Sequence, residues 1–310
     1  MKRRKQDLPT LAVTGGTGFV GSHLVALARA RGYPVRALTR KWKPPEEGVD
    51  WVEAALDRPE SLVRLCQGSD AVIHLAGAIN APDRAGFEAV NAGGTANLVD
   101  AARKAGLRRF VHISSLSARE PDLSDYGWSK AKSERIVGAS GLDWTIIRPP
   151  AIYGPGDRET FELFRMARRG LVPLPPGGRM SVIHVEDLCR LILDLLDADD
   201  SWGEIYEPDD GADQGWDHRE FARALGRAFG RRALPLSMPR FALRAASRAD
   251  RLLRRGNAKL TADRVSYFCH PDWVAAPDRR PPPHLWQPQV PTPEGLAATA
   301  SWYREQGWLS

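Results

Sequence analysis

The chain has 310 residues, 43% hydrophobic and 26% charged, an ordinary globular composition with length for one large α/β domain or two unequal lobes. Its 44 Lys and Arg against 38 Asp and Glu give a net +6, which mildly favours anionic ligands but is too small and scattered to argue nucleic-acid binding. No apolar run approaches the roughly 18 residues of a membrane span, and Cys66, Cys189 and Cys269 are far apart and lack metal-ligand spacing, as in a reduced cytoplasmic protein.

Residues 1–9 are basic and read as a solvated tail, because a strand rather than an apolar signal core follows them. Leu11 to Val13 form that strand. Gly16, Gly18 and Gly21 then satisfy the G-x-G-x-x-G template, and Leu24, Val25, Leu27 and Ala28 continue with helical spacing. Strand, glycine turn and helix start together form a dinucleotide-binding fingerprint: the turn clears side chains from a pyrophosphate, whose charge rests on free helix N–H groups. The cofactor loop therefore comprises Gly15, Gly16, Thr17, Gly18, Phe19, Val20 and Gly21.

Pro34 to Leu38 is the second strand. About 20 positions past such glycines an acidic residue accepts hydrogen bonds from the NAD ribose. This chain has Thr39, Arg40 and Lys41 there, a pair of cations suited to a 2′-phosphate, so NADP(H) is favoured over NAD(H). The competing reading is a solvated basic loop that leaves NAD(H) possible. Val49 to Ala54 is the third strand, with Leu56 and Asp57 placed to meet adenine, and Ser61 caps a helix through Leu65. Ala71 to Leu75 runs into Ala76-Gly77-Ala78, small residues that leave room for a cofactor. Phe87 to Ala105 reads as a long helix with Val90, Leu98, Val99 and Ala102 on its apolar side. Asn91 within it needs a partner, since it competes with backbone hydrogen bonding.

Phe110 to Ile113 is a fifth strand ending in Ser114-Ser115. Tyr126 and Lys130, four apart at the start of the next helix, share one face, and Trp144 to Ile147 is stopped by Arg148-Pro149-Pro150. The alternation of strands and helices implies a doubly wound parallel sheet with its ligand crevice at the strand carboxyl ends.

TGGTGFVG at 14–21, HLAGA at 74–78, NAGGTANL at 91–98, HISS at 112–115, YGWSK at 126–130, RPPAIYGPGD at 148–157 and VIHVEDL at 182–188 resemble an extended short-chain dehydrogenase/reductase. Within that superfamily the chain looks like the NAD(P)-dependent epimerase/dehydratase and hydroxysteroid-dehydrogenase-like branch, and it is similar to the cofactor-binding accessory subunit of respiratory complex I. The resemblance implies a Rossmann-like domain over 10–160 and a smaller, mostly helical substrate lobe over 161–310 whose elements partly return to the sheet. It also implies a catalytic set. Tyr126 is the acid/base, its pKa drawn down by the Lys130 ammonium; Ser115 orients the substrate carbonyl; Lys130 holds the nicotinamide ribose; Asn91 supports a proton-relay water; and Leu75 and Pro149 join the cofactor contacts. The activity implied is hydride transfer to a small carbonyl or from its alcohol. A nucleotide-sugar epimerase with tightly held NAD(P), and an assembly subunit with little turnover, are the alternatives. Against sugar-nucleotide chemistry, SSLSA at 114–118 has no acidic pair; Met180 and Ser181 stand where epimerases carry Arg-Asp, with Arg179 one residue early; and Pro150 replaces a diphosphate-binding Asn.

Leu188 to Leu196 is an apolar helix, Glu204 to Glu207 a late strand and His218 to Phe229 an amphipathic helix. Residues 240–255 carry six arginines among Phe241, Leu243, Ala246, Leu252 and Leu253, for which a solvated lid, a peripheral membrane contact and docking to an acidic carrier protein compete. The Pro-rich run 277–293 is irregular, and Ala297 to Leu309 closes the chain as a helix. The assembly expected is a monomer or homodimer.

Overall fold

The computed structural model describes residues 8–254 and 261–309. The basic tail therefore lies mostly outside the described residues, as does Arg255. Leu8 packs against the core and the Thr10 amide donates to Asp70 at 2.7 Å, so the ordered chain starts inside the segment expected to be tail.

Seven strands form one parallel sheet: β1 (Leu11–Thr14), β2 (Val35–Thr39), β3 (Val49–Glu53), β4 (Ala71–His74), β5 (Arg109–Ile113), β6 (Asp143–Ile147) and, later in the chain, a strand at Glu204–Tyr206. This last strand pairs with β6 at one edge, and the order from that edge continues β6-β5-β4-β1-β2-β3. Strand order reverses between β1 and β4, and an α/β sheet opens a crevice for ligand at such a point. Side chains alternate across the pleat: Leu11 and Val13 enter one apolar layer and Ala12 the other. Helix α1 (Phe19–Ala30) covers the first face. On the other pack α2 (Pro59–Cys66), α4 (Gly94–Lys104) and α5 (Asp125–Gly138).

Two local expectations change. Helix α2 starts at Pro59, and Ser61 sits inside it, its hydroxyl donating to the Arg58 carbonyl at 2.7 Å and accepting from the Ala55 amide, so it braces the preceding turn rather than capping the helix. The stretch read as one helix from Phe87 is three segments in continuous sequence: α3 (Arg84–Phe87), a π-helical turn over Glu88–Gly93, and α4. The wider turn shifts the helical phase. Val90 is rotated outward to 38% exposure while Asn91 turns into the interior.

The C-terminal half adds two-residue to four-residue strands in small sheets: β7 (Ala151–Tyr153) with β10 (Val182–His184), β8 (Leu171–Leu174) with β13 (Leu234–Ser237), and β9 (Arg179–Met180) between β12 (Trp216–Asp217) and β14 (Asp272–Trp273); the main-sheet strand Glu204–Tyr206 is β11. Its helices are α6 (Phe161–Arg168), α7 (Val185–Asp194), α8 (His218–Arg227), α9 (Arg240–Arg254), α10 (Ala262–Phe268) and α11 (Thr292–Glu305). Helix α7 returns to pack beside α1 against the sheet. Tyr153, Phe164, Phe221, Leu296 and Tyr303 build a separate core beneath the small sheets. The final helix begins at Thr292, five residues earlier than expected, because Pro293 fits a first turn that needs no N–H from it.

Candidate active site

The turn after β1 is set by two glycines. Gly15 has φ +74°, and a Cβ on it would stand 2.7 Å from the Ala76 nitrogen; a Cβ on Gly21 would stand 2.0 Å from the Gly15 carbonyl oxygen. The backbone therefore folds flat onto the end of β4, with Gly15 rather than Gly16 in the strained position. Gly18 opens α1 with no side-chain cap, leaving its first-turn N–H groups for an anion, and Thr17 and Gly18 are exposed. A pyrophosphate fits such a cradle. Ala76, Gly77 and Ala78 line its far side, with Leu75 half-buried below. Arg40 and Lys41 are exposed just past β2, where the Thr39 hydroxyl accepts from the Lys41 amide and donates to its carbonyl; Arg40 forms no ion pair among the described residues. Leu56 packs on Gly94 and its carbonyl accepts from Asn97 at 2.8 Å, while Asp57 is exposed.

Across the crevice, Ser115 follows the end of β5 by two residues, and its oxygen accepts from the Ser117 amide at 3.2 Å and the Ser117 hydroxyl at 3.0 Å. The Ser115 side chain also faces the Tyr126 phenol closely enough to favour its ionised form. Tyr126 lies in the first turn of α5, which Ser124 caps. One turn on, the buried Lys130 ammonium donates to the Ile113 carbonyl at 2.7 Å. Pro149 is buried below, its carbonyl accepting from the Leu116 amide. Burial pushes the Tyr126 phenol up, and Ser115 and Arg264 oppose this only in part. The expected lowering by Lys130 is therefore not what governs the phenol. Burial brings the Lys130 amine itself down to about 8, against the upward pull of Glu134.

Asn91 faces the same strand ends. Its Oδ1 accepts from the Ala78 amide at 2.7 Å, and its Nδ2 donates to the Ala78 carbonyl at 3.0 Å and to Ser129 at 2.9 Å. Ser129 in turn donates to the Tyr126 carbonyl, so Asn91 ties the loop after β4 to the helix carrying the phenol. The structure brings Ser115, Tyr126, Lys130 and Asn91 to one end of the sheet.

Beneath them runs a polar line absent from the sequence reading. The Ala76 amide donates to Thr14, and the Thr95 hydroxyl donates to the Asn91 carbonyl, so His74 must accept at Nδ1 from Thr14 and donate from Nε2 to Thr95. His74 stacks on His112, which reaches Ser133 at 2.9 Å. Burial, the larger cause, and the Lys130 charge hold both imidazoles neutral, His74 down at about 3. Glu134 accepts from Ser114 and pairs with Arg148, whose other arm meets the buried Glu207, itself paired with Arg119.

The C-terminal half supplies residues that sequence reasoning missed. Asp263 at the start of α10 accepts from the Asp125 amide at 2.6 Å and from the Tyr126 amide, holding the first turn of α5. Arg264, paired with Glu159, and Tyr267 both act electrostatically on the Tyr126 phenol or feel its charge. Thr261 as a helix cap two residues before Asp263 was the available signal. Among the described residues there is no group of three or more metal-ligating side chains, and no helix is long and apolar enough to cross a membrane.

Residues 11–207 match the NAD dependent epimerase/dehydratase family. A "Ceramide reductase" of Caulobacter vibrioides is 34% identical over 318 residues, covering 96% of each chain. A "UDP-glucose 4-epimerase" of Vibrio cholerae is 28% identical over 235 residues, covering 66% of this chain and 71% of that protein. Among solved structures, MoeE5 in complex with UDP-glucose and NAD superposes with a TM-score of 0.75 at 24% identity, over 96% of this chain and 99% of that one.

Proposed function

The chain belongs to the NAD dependent epimerase/dehydratase family, and from that premise we propose that it is an oxidoreductase working between NADP(H) and the carbonyl or alcohol of a lipid-like molecule. The observation that carries this is the convergence of Ser115, whose side chain opposes the rise of the Tyr126 phenol, with that phenol and with the Lys130 ammonium one turn away on the Ile113 carbonyl.

Bound NADPH supplies the hydride. The protein's part is the proton. A phenol raised by burial keeps its proton at neutral pH and is positioned to release it to the alkoxide oxygen that develops as a ketone is reduced. Ser115 accepts two hydrogen bonds from Ser117, which leaves its own hydrogen free for the phenol or the substrate oxygen. Lys130, cationic below about 8, favours the phenolate left behind and is placed for the ribose hydroxyls. The glycine turn would hold the pyrophosphate, and Arg40 with Lys41 supports a 2′-phosphate; Asp57 and Leu56 would meet the adenine.

A lipid-like substrate is supported by the reductase relative, which aligns end to end with this chain, whereas the epimerase relative aligns over two thirds of it. The nucleotide-sugar reading loses further ground at its recognition positions. Arg179 is spent on the Gln214 and Gly215 carbonyls and Ser181 on Asp209. An assembly role without turnover gives no reason for Ser115, Tyr126 and Lys130 to be kept together.

The test is NADPH consumption with a panel of ketones, long-chain amide-bearing ones included, by the protein and by Tyr126→Phe. The variant should lose about a thousandfold in kcat while its NADPH dissociation constant moves less than about twofold. Full activity in the variant, or a firmly retained cofactor with turnover of a UDP-sugar, overturns the reading.

A further inference from the structure

Helix α9 presents its apolar stripe to water. Phe241 is 75% exposed and Leu252 81% exposed, and with Ala245 and Ala249 between them they fall on one face at the three-to-four-residue spacing of a helix. Arg244 and Arg248, also exposed, border that stripe. The opposite face is the one that packs: Leu243, Ser247 and Asp250 are covered, and Arg240 donates to the Cys269 carbonyl at the end of α10. Across the whole stretch 240–255, six arginines stand against the single acid Asp250.

Further exposed apolar side chains lie on the strands that precede the helix in the chain. Strand β13, which leads into α9, pairs in parallel with β8, with Leu234 opposite Leu171 and Leu236 opposite Pro173. The pleat sends Val172 and Leu174 into the core and leaves Leu171, Leu234 and Leu236 at 44%, 64% and 44% exposure. At the head of this ribbon a cavity of about 420 Å³ is lined by Arg165, Arg168, Arg169 and Arg231 together with Phe161 and Trp308. Single exposed leucines are unremarkable, but five large apolar side chains on three linked elements, fringed throughout by arginine, are not.

We propose that this face docks onto an anionic phospholipid bilayer, with the α9 stripe and the leucine ribbon entering the interface and the arginines meeting lipid phosphates. Outward apolar side chains flanked by guanidinium groups match the layered chemistry of a headgroup region, in which acyl chains lie below a plane of negative charge. An acidic protein partner accounts for the arginines but leaves Phe241 and Leu252 uncovered. The inference does not depend on the catalytic reading, and its assay reads no turnover, so either can fail alone.

The experiment is co-sedimentation of the full chain with phosphatidylcholine vesicles, with and without one-third phosphatidylglycerol. Binding to the anionic vesicles should exceed binding to neutral ones by about tenfold at low salt and fall as salt rises. Phe241→Glu with Leu252→Glu should lose about tenfold in anionic-vesicle binding, and Arg244→Glu with Arg248→Glu should do the same, each with an unchanged melting temperature and NADPH affinity. Absence of binding, equal binding to neutral vesicles, or full binding by either double variant overturns the proposal. So does a dimer in light scattering that the Phe241→Glu, Leu252→Glu variant dissociates, which would assign the face to a second copy.

Discussion

At Tyr126 burial and the Ser115 side chain pull in opposite directions, and burial prevails. The phenol is therefore kept as an acid, while Lys130 four residues further into α5 is the group whose charge is softened. The proposed preference for NADP(H) rests on two other side chains, Arg40 and Lys41. Arg40→Ala should raise the dissociation constant of NADPH by about tenfold, the worth of one charge-assisted hydrogen bond in a partly exposed site. NADH should change by less than about twofold. Equal losses for the two nucleotides, read by fluorescence titration, would show that Arg40 does not meet the 2′-phosphate. These residues were legible because each sits at a fixed offset from a strand end or a glycine turn. Asp263, Arg264 and Tyr267 were not legible: they reach Tyr126 only through the return of the chain more than a hundred residues later, and no local pattern encodes that approach.

At the scale of elements, the sheet strands were readable because apolar runs of four or five residues alternate with helices along the chain. The π-turn at Glu88–Gly93 was not, since it breaks the 3.6-residue period on which the reading relied. Its effect is to aim Asn91 at the Ala78 backbone, pairing both the amide and the carbonyl of that residue. Asn91→Ala leaves those two groups and Ser129 without the partner. The expected cost is about 2–3 kcal/mol in urea unfolding, and Asn91→Asp, which keeps only the acceptor, should recover part of it. A cost below about 0.5 kcal/mol would mean that water replaces the side chain without loss.

The whole molecule should be sensitive to acid because of the stacked imidazoles at its centre. His74 takes up a proton only near pH 3 in the folded state, against about 6.5 when unfolded, and His112 is lowered in the same direction. Between those values the unfolded chain binds more protons, so stability falls as pH drops below about 6.5, with a slope near 1.4 kcal/mol per pH unit for each histidine. Urea midpoints at pH 7, 5.5 and 4.5 measure the decline, and His112→Asn, which can still donate to Ser133, should remove part of it. An unchanged slope in that variant would place the acid response elsewhere.

The grip of Asp263 on the first turn of α5 has a mechanical consequence. Helix α9 leans on α10, and α10 holds the two amides at the root of the phenol-bearing helix. A load applied to the outermost helix thus has one intermediary to cross before it tilts the acid. Rim and hearth are joined by a short linkage.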